Sequence, residues 1–387
     1  MTLDPELLRR LDAQLAEDDA TRVARYPGPS PARQPVHTVY LPAERFTASS
    51  VDDWGSEALK VLDEHGPLPG FEAAIEARVR SKLADEPIED LRIDFEDGYG
   101  APGDEREDRD VRIAATELAT AIGDGRAPRA VGIRMKSLEG PTRLRGIRTL
   151  ELFLGTLLAR TDLPEGFRVT LPKVTSVAQV AVMEQLCGAL DEAYRLPGLR
   201  FEIQVETPQA VLGADGVALV APMLHAAAGR CVGLHYGTYD YSASVGIAAA
   251  YQSMEHPAAD YAKAVMQVAA AGTGVPVSDG STNVLPVGPR EQVHEGWALH
   301  ARLVRRSLER AFYQGWDLHP AQLPTRYAAT FAFYRGGLPA AAARLRAYRE
   351  RSSIGVLDEP ATERALTDFL RRALDCGAAD PDELPKL

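Results

Sequence analysis

Two acidic side chains lie at the ends of neighbouring apolar segments and could together hold a metal ion. Glu206 follows the apolar segment 199–205, and Asp240 follows the apolar segment 230–237, about one strand–helix unit later. Hard divalent cations such as Mg²⁺ prefer oxygen ligands and are usually held by one or two carboxylates, with water and substrate oxygens in the remaining positions. The pair therefore predicts a site for Mg²⁺, with Mn²⁺ as a second candidate, and a metal-dependent enzyme.

The two segments belong to a pattern that repeats along the chain, an apolar strand-like run followed by a helical pattern. Eight such runs alternate with helical segments, which is typical of a closed parallel barrel of about 250 residues. We therefore predict an α/β fold, a (β/α)8 TIM barrel that spans residues 35–336. The predicted strands are residues 36–42, 91–96, 130–136, 167–173, 199–207, 230–237, 275–280 and 315–320.

The segments on either side of the predicted barrel are helical in pattern. Residues 1–34 are expected to form a helical extension that ends in a proline-rich linker, and residues 337–387 a helical tail. The tail segments 338–351 and 361–374 are amphipathic, so they are expected to pack on the barrel or on a neighbouring subunit.

Polar residues at the carboxyl ends of the strands are the candidates for function, because the active site of such a barrel lies there. Side chains alternate along a strand, so Asp94 and Glu96 share one face while Ile93 and Phe95 take the other. The apolar face should meet the helices and the polar face the barrel mouth. Besides Glu206 and Asp240, the polar residues at these ends are Asp94, Glu96, Asp97, Arg134, Lys136, Lys173 and His319.

Several short motifs occur in a specific order along the chain. They are LRIDFED at 91–97, GIR at 132–134, LPK at 171–173, VET at 205–207, YGTYD at 236–240, HPAQ at 319–322 and GVLDEP at 355–360. With these motifs the chain resembles the aldolase/citrate lyase family of phosphoenolpyruvate/pyruvate-type barrels. That family includes the beta subunit of citrate lyase and the malyl-CoA lyases, with malate synthase as a more distant relative. The resemblance covers residues 36–376.

The resemblance implies a Mg²⁺-dependent carbon–carbon lyase or aldolase that acts through an enolate on a 2-oxo acid or an acyl-CoA. A metal and a fixed cation aimed at the enolate oxygen can contribute several kcal/mol of transition-state stabilisation, and Arg134 would be that cation. The resemblance further implies Glu206 and Asp240 as metal ligands. Asp358 would be the acid/base, often presented by a neighbouring subunit in a trimer or hexamer. The residues expected to bind substrate are Arg134, Lys173, Asp94, Glu96, Asp97 and His319.

Each candidate residue also has a structural interpretation. Glu206 could cap the helix that follows it, and the acidic residues 94–97 could form a solvated turn instead of a water-binding site beside the metal. The acidic stretch 104–110 is expected to be a solvated helix start, because negative charge favours a helix amino terminus. His319 is expected to be a hydrogen-bonded structural residue at the mouth.

Two other functions remain open from the sequence. Lys173 stands where a Schiff-base aldolase keeps its nucleophile, so a lysine-dependent aldolase is one alternative. A barrel without catalytic activity that serves as a binding or regulatory subunit is the other, since a fold does not dictate its function.

Composition limits the class of protein and of ligand. The 387 residues are 45% hydrophobic and 25% charged, which is enough for a large core. A net charge of −12 argues against nucleic-acid binding, although local cations could still attract a small anionic substrate. The three cysteines are few and scattered, which indicates reduced thiols. The first 25 residues resemble neither a signal peptide nor a membrane span, so we expect a cytoplasmic protein that binds no membrane.

Overall fold

The computed structural model describes residues 3–350 and 359–385 and confirms the predicted (β/α)8 barrel. The strands lie around the barrel in the order in which they occur along the chain, and helices cover them on the outside. The strands are β1 (His37–Pro42), β2 (Asp90–Asp94), β3 (Ala130–Arg134), β4 (Phe167–Leu171), β5 (Arg200–Val205), β6 (Cys231–Tyr236), β7 (Val277–Ser278) and β8 (Gly315–Asp317).

Parallel pairing runs around the barrel from strand to strand. β1 pairs with both β2 and β8, and each strand from β2 to β6 pairs with the next one. Between β7 and β8 there is a bridge from Ser278 to Gln314, and the backbone N–H of Asp279 donates to the Gln314 carbonyl at 2.8 Å. These contacts bring the carboxyl ends of all eight strands to one mouth.

The helices of the described chain alternate with the strands, and most of them pack against the barrel. The first helix, which precedes the barrel, has no buried residue. The helices are α1 (Pro5–Arg25), α2 (Ser50–His65), α3 (Ala73–Asp85), α4 (Asp104–Gly123), α5 (Arg143–Leu158), α6 (Val177–Tyr194), α7 (Pro208–Val211), α8 (Val220–Ala226), α9 (Thr238–Ser244), α10 (Pro257–Ala270), α11 (Arg290–Glu309), α12 (Leu323–Arg349) and α13 (Pro360–Asp375).

The two faces of each strand separate as predicted, but the polar face extends below the mouth into the barrel interior. Arg92, on β2, is fully buried and donates to Thr170 Oγ1 at 2.9 Å. It forms ion pairs with Asp90 and with Glu202, the latter at 2.7 Å. Buried charges require such partners, because an unpaired charge in the interior is strongly destabilising. The barrel interior is therefore a paired polar network below the mouth.

β7 and β8 are shorter than predicted, and local chemistry explains both cases. Pro276 has no N–H to donate, so β7 begins only at Val277. The side chain of Gln322 accepts the backbone N–H groups of Leu318 at 2.8 Å and His319 at 3.2 Å, which ends β8 in a capped turn.

The acidic stretch 104–110 begins α4 as expected, but the prediction that it is solvated was wrong for two residues. Glu107 and Asp110 are buried. Glu107 forms ion pairs with Lys136 at 3.1 Å and Arg145 at 3.3 Å, and Asp110 accepts a hydrogen bond from the Tyr99 hydroxyl at 2.9 Å. The basic partners come from the segment after β3 and from α5, so the acidic stretch alone gives no sign of them.

The carboxyl-terminal helices pack on the barrel. α12 runs without interruption across the predicted boundary at residues 336/337. α13 packs on it through the ring of Phe369, whose centroid lies 5.7 Å from that of Phe333 and 5.1 Å from that of Tyr334. The predicted acid/base Asp358 lies outside the described residues. The division into domains stays a prediction.

The cysteines are free thiols, as the sequence predicted. Cys187, Cys231 and Cys376 are all buried, and burial raises the pKa of each to about 12. Thiols with such pKa values are poor nucleophiles at neutral pH. No helix in residues 3–350 or 359–385 has both the length and the apolar character needed to cross a membrane.

A buried carboxylate joins the last strand to the helices behind it, and its removal should be costly. Asp317 accepts from His37 at 2.8 Å, lies 3.1 Å from Nε2 of His300 and receives the guanidinium of Arg326 at 3.0 Å. Burial alone would raise the Asp317 pKa, but Arg326 and the two histidines outweigh burial and hold it well below its ordinary value.

We expect Asp317→Asn to lower the free energy of unfolding by about 3 kcal/mol, because it leaves the Arg326 charge buried and unpaired. Denaturant unfolding measures this loss. Asp63→Asn is the matched control, since Asp63 forms an exposed ion pair with Arg80 at 2.6 Å and should change stability by less than about 1 kcal/mol. Equal effects of the two substitutions would contradict the structural role of Asp317.

Candidate active site at the barrel mouth

A buried ion pair between β2 and β3 orients the arginine predicted to be the catalytic cation. Arg134 donates from Nε and Nη2 to the two carboxylate oxygens of Asp94, both at 2.6 Å. Asp94 also accepts the backbone N–H groups of Glu96 and Gly98, each at 2.9 Å. Burial would lower the Arg134 pKa, but Asp94 outweighs burial and raises it well above its ordinary value. The remaining nitrogen, Nη1, lies 3.5 Å from Glu96 Oε2.

Two buried residues, Tyr40 beside Arg134 and Gln204 on β5, have polar groups without a partner in the described chain. The Arg134 guanidinium lies over the ring of Tyr40, 4.8 Å from its centroid. The Tyr40 hydroxyl and both polar atoms of the Gln204 amide have no hydrogen-bond partner. Buried polar groups normally bind water, a ligand or protein. Gln204 could be found from its alternation with Glu206, but Tyr40 carries no such signal in the sequence.

Lys173 brings together acidic side chains from two strand ends. Its Nζ donates to Glu96 and to both carboxylate oxygens of Asp97, the latter at 2.7 and 2.8 Å. Asp240 Oδ2 lies 3.7 Å from the same nitrogen. Asp240 stands in the first turn of α9, directly after β6. These four predicted site residues therefore form one cluster at the barrel mouth.

Glu206 lies beside this cluster and is buried. Its Oε1 accepts the backbone N–H of Lys173 at 2.7 Å. Lys173 has a φ of 51°, a left-handed conformation that costs roughly 1 kcal/mol for a residue with a Cβ. Thr207 accepts the N–H of Ala210 at 3.3 Å and caps α7, so Glu206 does not serve as the helix cap.

Three of the four carboxylates beside Lys173 lack enough nearby positive charge to offset their burial. Burial raises the pKa of Glu206 to about 8 and that of Glu96 to about 7, and it also raises the pKa of Asp240. Burial acts in the same direction on Asp97, but hydrogen bonds from Glu96 and Lys173 outweigh it and lower the Asp97 pKa. The Lys173 pKa is raised, because Glu96 and Asp97 outweigh the effect of its burial.

The donor set fits a divalent cation, which would supply this missing charge. Asp94 already pairs with two nitrogens of Arg134, so Lys173 is the main cation for Glu96, Asp97 and Asp240, and Glu206 receives only its backbone N–H. Across residues 3–350 and 359–385 no group of three or more His, Cys, Asp or Glu side chains is arranged to enclose a metal. Mg²⁺ does not require one, because one or two carboxylates with water and substrate oxygens suffice. Glu206 and Asp240 fit that role.

Two of the polar residues at the strand ends have local backbone partners. Lys136 is buried and donates to the carbonyls of Phe95 at 2.7 Å and Gly100 at 2.8 Å, so it holds the loop after β2. His319 accepts the N–H of Ala321 at 3.1 Å and caps the turn after β8. Burial lowers the pKa of His319. Its capping contact matches the structural interpretation of this histidine.

A substitution at Gly237 tests whether Mg²⁺ binding depends on the position of the Glu206 carboxylate. A Cβ at Gly237 would overlap with the Cβ and Oε2 atoms of Glu206. Gly237→Ala should therefore displace the carboxylate and weaken Mg²⁺ binding roughly tenfold or more, the range found when groups that support a ligand are altered. Calorimetric titration measures the affinity. Gly140→Ala is the control, because a Cβ there meets open space, and equal affinities of the two variants would exclude Glu206 as a ligand.

Solved structures with the same barrel come from enzymes of carbon–carbon bond chemistry. A citrate lyase from Burkholderia xenovorans aligns with a TM-score of 0.63 at 19% identity and covers 92% of this chain and 96% of its own. The protein CitE from Mycobacterium tuberculosis, with magnesium, acetoacetate and coenzyme A, gives 0.54 at 16% identity over 88% and 98%. Haloferax volcanii malate synthase, with magnesium and glyoxylate, gives 0.51 at 11% identity over 89% and 99%.

These alignments confirm the resemblance in fold that the ordered motifs predicted. No curated protein matches the sequence significantly. The family profile described as "Domain of unknown function (DUF6986)" matches residues 15–387, almost the whole chain. The chain therefore belongs to the DUF6986 family and has the barrel fold of citrate lyase and malate synthase.

Proposed function

We propose that this protein is a Mg²⁺-dependent carbon–carbon lyase or aldolase that acts on a 2-oxo acid or an acyl-CoA thioester. The observation that carries the proposal is the group of four carboxylates at the barrel mouth: Glu96, Asp97 and Asp240 surround the ammonium of Lys173, and Glu206 accepts the backbone N–H of the same residue. Such a group of carboxylates, of which Glu206 is fully buried, is unfavourable in its ionised form unless a cation joins it. The magnesium in the M. tuberculosis and H. volcanii structures supports the same metal here.

Glu206 and Asp240 would hold the metal, which supplies a Lewis acid for a carbonyl oxygen when bound. Arg134 has one nitrogen that Asp94 does not use, so it can donate to the oxygen on which enolate charge develops. The ring of Tyr40 lies under the same guanidinium, and its unpaired hydroxyl can accept or donate one further bond to substrate or water. The proton would be moved by Asp358, presented by the same or a neighbouring subunit.

Lys173 suits an electrostatic role better than that of a Schiff-base nucleophile. A nucleophilic lysine needs a lowered pKa so that its amine is neutral. Here Glu96 and Asp97 outweigh burial and raise the Lys173 pKa, so the ammonium stays protonated. Lys173 therefore holds the acidic residues together and can pair with an anionic substrate. Borohydride treatment with pyruvate should leave its mass unchanged.

Calorimetric titration tests the proposal. Mg²⁺ and Mn²⁺ are titrated into metal-stripped protein, alone and with pyruvate, oxaloacetate, glyoxylate or acetyl-CoA. We expect one of these compounds to tighten metal binding at least tenfold, because substrate oxygens complete the coordination. Tightening by acetyl-CoA would assign the acyl-CoA class, and tightening by an oxo acid the aldol class. A protein that binds no metal under any of these conditions would refute the proposal and favour a barrel that acts as a binding subunit.

A further inference from the structure

A large cavity lies at the opposite end of the barrel from the proposed active site. Its volume is about 1200 Å³, above the roughly 300–1,000 Å³ of common ligand pockets. The amino ends of the central strands form its floor, for example Arg168 on β4 and Arg200 on β5. The linker at residues 26–35 and the end of α13 form its sides.

The linker is attached to the barrel by defined contacts, so the cavity has fixed walls. The backbone N–H of Gly28 donates to the Gly272 carbonyl at 2.9 Å. The Tyr26 ring meets that of His225 edge to face, with centroids 6.0 Å apart. On the other side, Arg372 of α13 donates to Gln34 Oε1 at 2.7 Å.

The charge of the cavity is opposite to that of the protein. The chain carries a net charge of −12, yet the acidic side chains in the cavity wall, Glu165 and Asp375, face a larger number of arginines. The arginines are Arg25, Arg33, Arg168, Arg200, Arg371 and Arg372. A concave site lined by one sign of charge concentrates its field and attracts the opposite charge.

Three of these arginines have no acidic partner within residues 3–350 and 359–385. Arg33 is compensated by Glu86 and Glu89. Arg25 and Arg200 form no ion pair, and Arg200 donates only to a backbone carbonyl at 3.2 Å. The Arg372 guanidinium lies 4.3 Å from the Tyr313 ring centroid and likewise lacks a carboxylate. Unpaired guanidinium groups present a planar fork that fits phosphate oxygens.

We propose that this cavity binds an organic polyphosphate of the size of a nucleoside triphosphate. The arginines would bind the phosphates, and the apolar part of the wall would contact the organic part. That apolar part consists of Pro27, Pro29, Pro35, Leu163, Pro164, Pro197 and Pro276. The ligand would contact the linker, α13 and the barrel together.

Calorimetric titration of the full-length, metal-stripped protein at fixed ionic strength tests this proposal, with ATP, pyrophosphate and inorganic phosphate as probes. We expect ATP to bind at least fivefold more tightly than pyrophosphate, and phosphate to bind most weakly. The double variant Arg25→Gln/Arg200→Gln should weaken ATP binding roughly tenfold or more, the loss expected for charged hydrogen bonds. Both residues are exposed, so the fold should be unchanged, and thermal unfolding checks this.

Two controls separate this cavity from other sites. Arg112→Gln removes an exposed arginine from α4, away from the cavity, and should leave ATP affinity unchanged. Glu206→Gln alters only the barrel mouth and should also leave it unchanged. Absence of ATP binding at millimolar concentration, equal affinity for pyrophosphate and ATP, or no loss in the double arginine variant would overturn the proposal. A loss of ATP binding in Glu206→Gln would assign the nucleotide to the mouth and overturn it too.

Discussion

Replacing Glu206 with glutamine should abolish Mg²⁺ binding and at the same time stabilise the metal-free protein. Glu206 is buried beside other carboxylates, and its pKa is raised to about 8. The neutral amide removes the unfavourable charge and can still accept the N–H of Lys173 through its oxygen. We expect metal affinity to fall roughly a hundredfold or more. The free energy of unfolding without metal should rise by roughly 4 kcal/mol at pH 8.

Calorimetric titration and denaturant unfolding measure the two effects. Asp240→Asn should also abolish metal binding, with a smaller gain in stability because Asp240 is only partly buried. Glu151→Gln is the matched control, since it neutralises an exposed carboxylate on α5 and should change neither property. A Glu206→Gln protein that unfolds, or that binds Mg²⁺ as well as the unmodified chain, would refute the role of Glu206 as a ligand.

The raised pKa of Glu206 predicts how the stability of the metal-free protein depends on pH. Glu206 keeps its proton in the folded state up to about pH 8, whereas the unfolded chain releases it near pH 4.5. The unfolded state therefore binds fewer protons between these values, and stability must fall as pH rises through this range. Saturating Mg²⁺ should reverse the fall, and Glu206→Gln should reduce the slope. A metal-free protein with equal slopes before and after the substitution would contradict the raised pKa.

The barrel and its mouth could be predicted from the sequence because their signals are local. Alternation along one strand is enough to show that Asp94 and Glu96 share a face. The position of Glu206 and Asp240 at strand ends is enough to bring them to the same mouth. The presence of all eight strands was predicted correctly for the same reason, although β7 begins later because of Pro276 and β8 ends earlier because of Gln322.

The pairings within the site could not be predicted, because they depend on register between strands. Arg134 was expected to be free to bind substrate, but two of its nitrogens face Asp94 on the neighbouring strand. Nothing in the segment around Lys173 indicates that its ammonium meets Asp97. The burial of Glu107 depends on Lys136 in the same way. Alternation shows which face a side chain takes, but the partner on that face comes from a distant part of the chain.

The Asp94–Arg134 pair leads to a second large expected effect, in turnover rather than in metal binding. Arg134→Lys keeps the positive charge but loses the planar guanidinium. In arginine this group binds Asp94 through Nε and Nη2 and still leaves Nη1 available for substrate. With the substrate that tightens metal binding, kcat/KM should fall by roughly 10²–10³, as when one group that stabilises an oxyanion is lost. Mg²⁺ affinity should stay within about threefold of its original value, because Arg134 is not a ligand.

Two further variants show whether Arg134 acts in catalysis or only stabilises the fold. Arg302→Lys changes a bidentate pair of the same kind, since Arg302 donates to Glu255 at 2.6 and 2.7 Å, but this pair is exposed on the outer helices and should leave kcat/KM unchanged. Asp94→Asn leaves Arg134 intact but removes its charged anchor, so kcat should fall more than KM changes. If Arg134→Lys keeps full turnover, the arginine has no part in the chemistry. If it unfolds the protein, the buried pair is structural, and the oxyanion would have to be stabilised by the metal with Lys173.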